Sequence, residues 1–197
     1  RPTSYIDWHV ESLDQKDHSV VLLWEFGEQL CHHSKEHEPL VGGNSLENKV
    51  RISWMGREQQ PLLSHSGDAV SIDWGYFYVA AQEESPIKVS YEKEEGSIKA
   101  ISEVNVTQSA SWEDYLVVAY DDVASIVYFG EILKGYWTKF YPSVREAIEA
   151  SVKEYPILKE KCALLDERIK KQETELLGEE YAFLCAVAYR QSIAAHK

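Results

Sequence analysis

Cysteine is scarce: only Cys31, Cys162 and Cys185 occur in 197 residues. Their wide spacing makes neither a zinc knuckle nor a disulfide framework. Long apolar runs are missing as well, and without about 18 consecutive apolar residues no segment reads as a membrane-spanning helix. Basic charge is short, with 20 Lys and Arg against 33 Asp and Glu and a formal net charge of −13. Counterion displacement from nucleic acid needs a basic patch, and none is written here, so the charge balance disfavours nucleic acid and anionic membrane as partners. No nucleophile elbow, phosphate loop, dinucleotide fingerprint or zinc-protease motif occurs, and no cofactor is implied.

What is abundant is aromatic: 12 tyrosines and 6 tryptophans. Such side chains fill sheet cores and also line ligand surfaces. Residues 5–13 alternate, with Ile6, Trp8 and Val10 on one face and Tyr5, Asp7, His9 and Glu11 on the other, the pattern of a half-buried strand. A polar turn at 14–17 followed by the apolar run 19–26 predicts a hairpin. Residues 27–48 read as a long loop, and strands follow near Val50–Trp54, Ala69–Ala81, Ile87–Tyr91, Ser97–Val106, Tyr115–Tyr120 and Val123–Phe129. Gly75 interrupts the second of these, as glycine does at a bulge or a close backbone approach.

Eight or so short strands at this spacing predict an antiparallel β-sandwich over 1–141. Beyond it the sequence changes period. Ser143 and Glu146 form a capping box, and Pro156 predicts a break or kink at Tyr155. Leu158, Cys162, Leu165 and Ile169 then make an apolar stripe, and Gly178 ends that helix. Within the segment 179–196, residues 181–189 are apolar nearly all round, which calls for burial on most sides. The fold class is therefore α+β: a sandwich followed by about three helices over 142–197, with Cys162 and Cys185 expected as small buried apolar groups. Arg1 leads almost directly into a strand and residues 193–197 keep a helical pattern, so the expectation is a piece of a longer protein.

Three sets of residues invite chemistry. His32, His33 and His37, with Glu36 and Glu38 beside them, form the one histidine cluster and suit zinc or nickel by ligand type, but on a loop without a rigid frame. Asp121 and Asp122 are paired carboxylates. Pairing can split two pKa values into an acid and a base, yet neighbours on a strand point to opposite faces. Glu131 and Arg190 are polar groups expected to be partly buried, and Arg190 in particular needs a carboxylate partner, for which Asp121, Asp122 and Glu131 are candidates. Asn105-Val-Thr107 also fits the glycosylation pattern.

Several runs together resemble the glutaminase A-like family of fungi and bacteria. They are Arg1-Pro-Thr-Ser-Tyr-Ile6, Ser12-Leu-Asp-Gln-Lys-Asp-His18, Ile72-Asp-Trp-Gly-Tyr-Phe-Tyr78, Ala119-Tyr-Asp-Asp-Val-Ala-Ser-Ile-Val-Tyr-Phe-Gly130, Lys153-Glu-Tyr-Pro156 and Glu180-Tyr-Ala-Phe-Leu-Cys-Ala-Val-Ala-Tyr-Arg-Gln191. Residues 22–28 and the His-rich loop depart from that pattern. The resemblance implies a β-sandwich followed by a helical toroid, with this chain holding the sandwich, the linking helices and the first toroid helix. It further implies an exported hydrolase acting on a small-molecule substrate, whose C-terminal helical domain is the partner of the sandwich. This piece would be inactive alone. The alternatives from the same residues are a glycoside hydrolase-like enzyme fragment and a non-catalytic carbohydrate-binding or interaction sandwich. The last would need Trp74, Tyr76 or Trp112 on a solvent face.

Overall fold

The computed structural model describes residues 1–33, 39–64, 72–107 and 110–194. It divides into two compact units, Arg1–Val152 and Lys153–Lys197.

The first unit is a mixed α+β arrangement of antiparallel sheets. Strands β1 (Thr3–Val10), β8 (Trp112–Asp121), β5 (Tyr76–Gln82), β4 (Val50–Arg57) and β3 (Leu40–Glu47) form a five-stranded sheet in that order. A second sheet has the order β2 (His18–Gly27), β7 (Ser97–Val106), β6 (Lys88–Glu92). The two share one core. Met55, Phe77, Val79, Ala81 and Leu116 from the first sheet meet Ile98 and Ala100 from the second, with Cys31 and Ile87 among them. The period-2 alternation read in residues 5–13 holds: Ile6 and Trp8 pack into this core, while Tyr5 turns its hydroxyl the other way.

Four expectations are corrected here. β1 and β2 are not a hairpin, because they lie in different sheets; the turn between them carries the chain across the core, where Trp8 and Trp24 stack 5.9 Å apart. The long loop over 27–48 contains β3. Its Gly42 and Gly43 hide the strand signal, and a Cβ on Gly42 would strike the Tyr91 ring at 2.6 Å. The strand predicted from Ala69 begins only at Tyr76 within the described residues. Fourth, two helices follow, α1 (Val144–Leu177) and α2 (Glu179–Ala194), and not about three.

Pro156 accounts for that last difference. It lies inside α1, where its missing N–H leaves the carbonyl of Val152 without its helical donor. The Tyr115 hydroxyl on β8 donates to that carbonyl at 3.1 Å instead. One residue earlier the Tyr5 hydroxyl donates to the Ser151 carbonyl at 2.8 Å, and the Ser151 and Thr3 hydroxyls lie 2.9 Å apart. Arg145 reaches Ser45 and Glu47 near the far edge of the same sheet. The start of α1 thus covers the outer face of the five-stranded sheet, burying Val144, Ala147, Ile148, Ser151 and Val152. This is why β5 is buried on both faces, with five consecutive buried residues. The N-cap behaves as the sequence predicts: the Ser143 hydroxyl accepts from the Glu146 N–H at 3.3 Å.

In the second unit Gly178 takes φ of 89°, the left-handed turn between α1 and α2. Cys162 is exposed and Cys185 half-buried, not enclosed. Ala182 is buried on α2, whereas Tyr181, Phe183, Leu184 and Tyr189 are exposed. The demand for burial read from this segment goes unmet among the described residues, because the rest of α1 is its one helical neighbour in that unit. Among the described residues no helix is long and apolar enough to cross a membrane.

Candidate functional site

A cleft of about 310 Å³ opens where β8 ends and α1 begins. Tyr78, Asp121, Asp122, Lys134, Trp137 and Arg145 border it, together with the turn 142–144. Three local features place these groups. β8 stops at Asp121, and Val123 adopts φ of 59°, so the chain turns sharply. Gly75, at φ of 98°, lets the start of β5 pass against the Asp121 carbonyl; a Cβ there would also sit 2.8 Å from the Tyr120 ring. The short hairpin β9 (Ile126–Tyr128) and β10 (Glu131–Leu133) then returns the chain to Lys134 and a single 3-10 turn, Tyr136–Lys139, leading into Ser143.

The expectation that Asp121 and Asp122 face apart is therefore corrected. Alternation applies only while the strand continues, and the turn after Asp121 brings both carboxylates to one cleft. Asp121 Oδ1 accepts from the Val123 N–H at 3.0 Å, and Asp122 Oδ2 from the Ser125 hydroxyl at 2.6 Å. Each keeps its second oxygen for other work. Burial pushes the Asp121 carboxyl up; Asp122 adds to the rise, while the Val123 N–H and Lys134 pull against it. Burial likewise raises the Tyr78 phenol to about 12, with Asp121 reinforcing and Arg145 opposing. Tyr78, Lys134 and Arg145 were not singled out from sequence. Only the fold brings these three, scattered along the chain, to one place.

The other expected groups lie elsewhere. Glu131 is exposed on the β9–β10 hairpin, which projects with neither face covered. Arg190 is exposed too, and its partner is Asp166 at 3.7 Å within the second unit rather than a carboxylate of the sheet. At the His-rich segment His32 is buried, and the His33 N–H donates to Asp73 Oδ1 at 3.0 Å; His37 lies outside the described residues. Asp73 also binds Arg57 at 2.6 Å, an ion pair with both side chains largely enclosed. Among the described residues no group of three or more His, Cys, Asp or Glu could hold a metal ion.

Of the aromatics expected of a sugar platform, one is enclosed and two are partly covered. Trp74 is buried, donating its Nε1–H to the Ala124 carbonyl at 3.2 Å. Tyr76 packs edge-on to Trp54 at 5.6 Å and Trp112 to Trp8 at 5.5 Å, and both are half-buried. Among the exposed large apolar groups, one run lies on β9–β10 and the turn after it: Ile126, Val127, Tyr128, Phe129, Ile132, Tyr136 and Phe140.

A search of curated proteins returns no match. A family model matches residues 1–114 and again 93–172, together most of the chain, running from β1 through the cleft and into α1. The chain belongs to the family described as Domain of unknown function (DUF5127).

Proposed function

We propose that this chain is the scaffold and one cleft wall of a glutaminase-like hydrolase, in which water splits the side-chain amide of glutamine into glutamate and ammonium. Its two sheets serve as a β-sandwich on which a helical domain of the same protein sits. The observation that carries this reading is the polar cleft, where two carboxylates, Lys134 and the start of α1 converge at the end of the β region.

The cleft supports a wall better than a complete catalytic centre. Nucleophilic attack needs a hydroxyl or thiol within reach of a base. The Ser and Thr hydroxyls here are engaged with backbone: Ser143 caps the Glu146 N–H, and Thr138 donates to the Gly135 carbonyl at 2.9 Å. The remaining machinery then belongs to the helical domain, and the apolar surface of β9–β10 is the face that domain covers, since exposed sets of this kind mark interaction sites.

The test is a comparison of the intact protein on glutamine and on glycosides, with this chain alone in parallel. Ammonia release from glutamine by the intact protein only is the expected result. Cleavage of glycosides instead, or amide hydrolysis by the isolated chain, overturns it.

A further inference from the structure

We propose that β2 is a pairing edge on which a second copy of this chain docks, the two β2 strands running antiparallel about a two-fold axis centred on Leu22. The second sheets of the two copies then form one continuous sheet. Nothing in this inference depends on the cleft or on the function proposed for it.

β2 is the outermost strand of its sheet. It pairs with β7 without a bulge from His18 opposite Val106 to Gly27 opposite Ser97, and no other strand pairs with it among the described residues. Every second residue of such a strand turns its N–H and C=O away from the sheet. Open edges of this kind are templates for another strand, and natural sheets blunt them with lysine, proline, bulges, short length or a cover. The 10 residues of β2 include neither lysine nor proline. The other edges differ. β6 is 5 residues long, and its Tyr91 N–H donates to Asn44 Oδ1 at 2.7 Å. Arg145 reaches Ser45 and Glu47 on β3, and β1 carries Asp7 and His9. A separate observation points to the same edge. On the inner face of β2, Val20, Leu22, Trp24 and Phe26 are only half-buried, whereas Ala100 and Ile98, opposite the last two on β7, are fully enclosed. The core is therefore open along β2. On the outer face Val21 and Leu23 are exposed, and Leu23 lies opposite the exposed Ile101.

Charge and register select a second copy as the occupant. A two-fold axis normal to the sheet keeps both outer faces on one side, so its centre falls on a residue and not between two. Centred on Leu22, it sets Val21 opposite Leu23 of the second copy, Ser19 opposite Glu25, and Val20 opposite Trp24 on the inner face. No charge then meets a like charge, and none meets an apolar side chain. Shifting the centre to Val21 would oppose Glu25 to Asp17, and shifting it to Leu23 would oppose Glu25 to Val21, both unfavourable across a strand pair. Glu25 itself already faces Lys99 of β7 at 3.9 Å, so an acidic or basic peptide finds little counter-charge here. The edge is its own complement. Long-range repulsion works against it, because each copy carries a net charge of −13. Salt screens that repulsion and leaves apolar and strand pairing in place, so this dimer tightens as salt rises.

Sedimentation velocity of the 197-residue chain, from about 1 μM to about 1 mM and at low and high salt, is the test. A reversible monomer–dimer equilibrium that tightens with salt is expected. Two substitutions at exposed positions then probe the register. Val21→Lys, which faces Glu103 within its own sheet, and Leu23→Glu each set a charge against an apolar residue of the second copy, twice per dimer. Each alone should weaken the dimer at least about tenfold. Mixed in equal amounts, the two variants should pair with each other, because Lys at 21 of one chain then meets Glu at 23 of the other while the second Leu–Val pair is kept. A chain that stays monomeric throughout the range overturns the proposal and leaves the edge to a different partner, such as the helical domain or an extended peptide. A dimer that loosens with salt, or one that survives both substitutions, also overturns it. So does a mixture that forms no mixed dimer although circular dichroism shows both variants folded. The salt response of the unsubstituted chain decides the matter even where a variant fails to fold.

Discussion

Replacing Tyr115 with Phe tests how α1 tolerates a proline in its interior. The hydroxyl removed is the one that donates to the Val152 carbonyl at 3.1 Å, in a buried setting. Position 156 is where the helical donor to that carbonyl would sit, and proline supplies none. Tyr115→Phe therefore leaves a buried carbonyl unmatched, at a cost of about 1–3 kcal/mol. In a Pro156→Ala background the new N–H takes the carbonyl, and the same substitution should cost only about 0.5–1 kcal/mol, the net worth of an ordinary hydrogen bond. A coupling of about 1–2 kcal/mol between the two positions follows, well above the scatter of independent sites. Tyr5→Phe is the control. Its acceptor, the Ser151 carbonyl, faces Tyr155, which keeps its N–H, so its cost should not depend on residue 156. Urea unfolding followed by tryptophan fluorescence suits the measurement, since all six tryptophans lie in the first unit. Equal losses for Tyr115→Phe in both backgrounds would refute the substitution of a tyrosine hydroxyl for the missing helix amide.

Other consequences are open to measurement. Arg57→Met deprives the enclosed Asp73 carboxylate of its cation and should cost about 3–5 kcal/mol by urea unfolding, whereas an exposed pair would cost under about 1 kcal/mol. The Asp121 carboxyl is raised by burial, so its ionised form burdens the folded state. That burden is absent below the unfolded carboxyl value of about 3.9 and grows as pH rises through the folded value. Asp121→Asn should thus melt higher than the parent at pH 7 and alike at pH 3; a gap that persists at pH 3 would place the effect outside ionisation. His9 sits opposite Glu113 in the β1–β8 register and accepts its influence at 2.9 Å. Its pKa is raised chiefly by that contact, and an NMR titration should show the rise collapsing in Glu113→Gln. Gly75→Ala, at φ of 98° and against the Asp121 carbonyl, should destabilise by about 1–3 kcal/mol and weaken any ligand of the cleft.

Much of the architecture was legible because local patterns and global packing agree. The alternation of residues 5–10 survives in β1, where one face enters the shared core and the other meets α1. Ser143 reads as a cap and acts as one. The errors fall where a distant residue intervenes. Gly42 looks like loop until Tyr91 is seen filling the space its side chain would need. Pro156 looks like a helix end until Tyr115 replaces the lost donor. The hairpin expected of β1 and β2 failed because a polar turn says that the chain reverses, but not which sheet receives it.

The cleft marks the same division most sharply. By itself the sequence determined that Asp121 and Asp122 are adjacent acids near the end of the β region, that a capped helix starts beyond them, and that the excess of acid over base disfavours polyanionic partners. Those are properties of composition and short-range pattern. Tertiary structure decided that the two carboxylates share a cleft, because strand alternation lapses at the Val123 turn. It also decided that Tyr78, Lys134 and Arg145 stand beside them while Glu131 and Arg190 do not. The meeting of side chains far apart along the chain depends on how sheets pair and where a helix lies, and no short-range pattern encodes it.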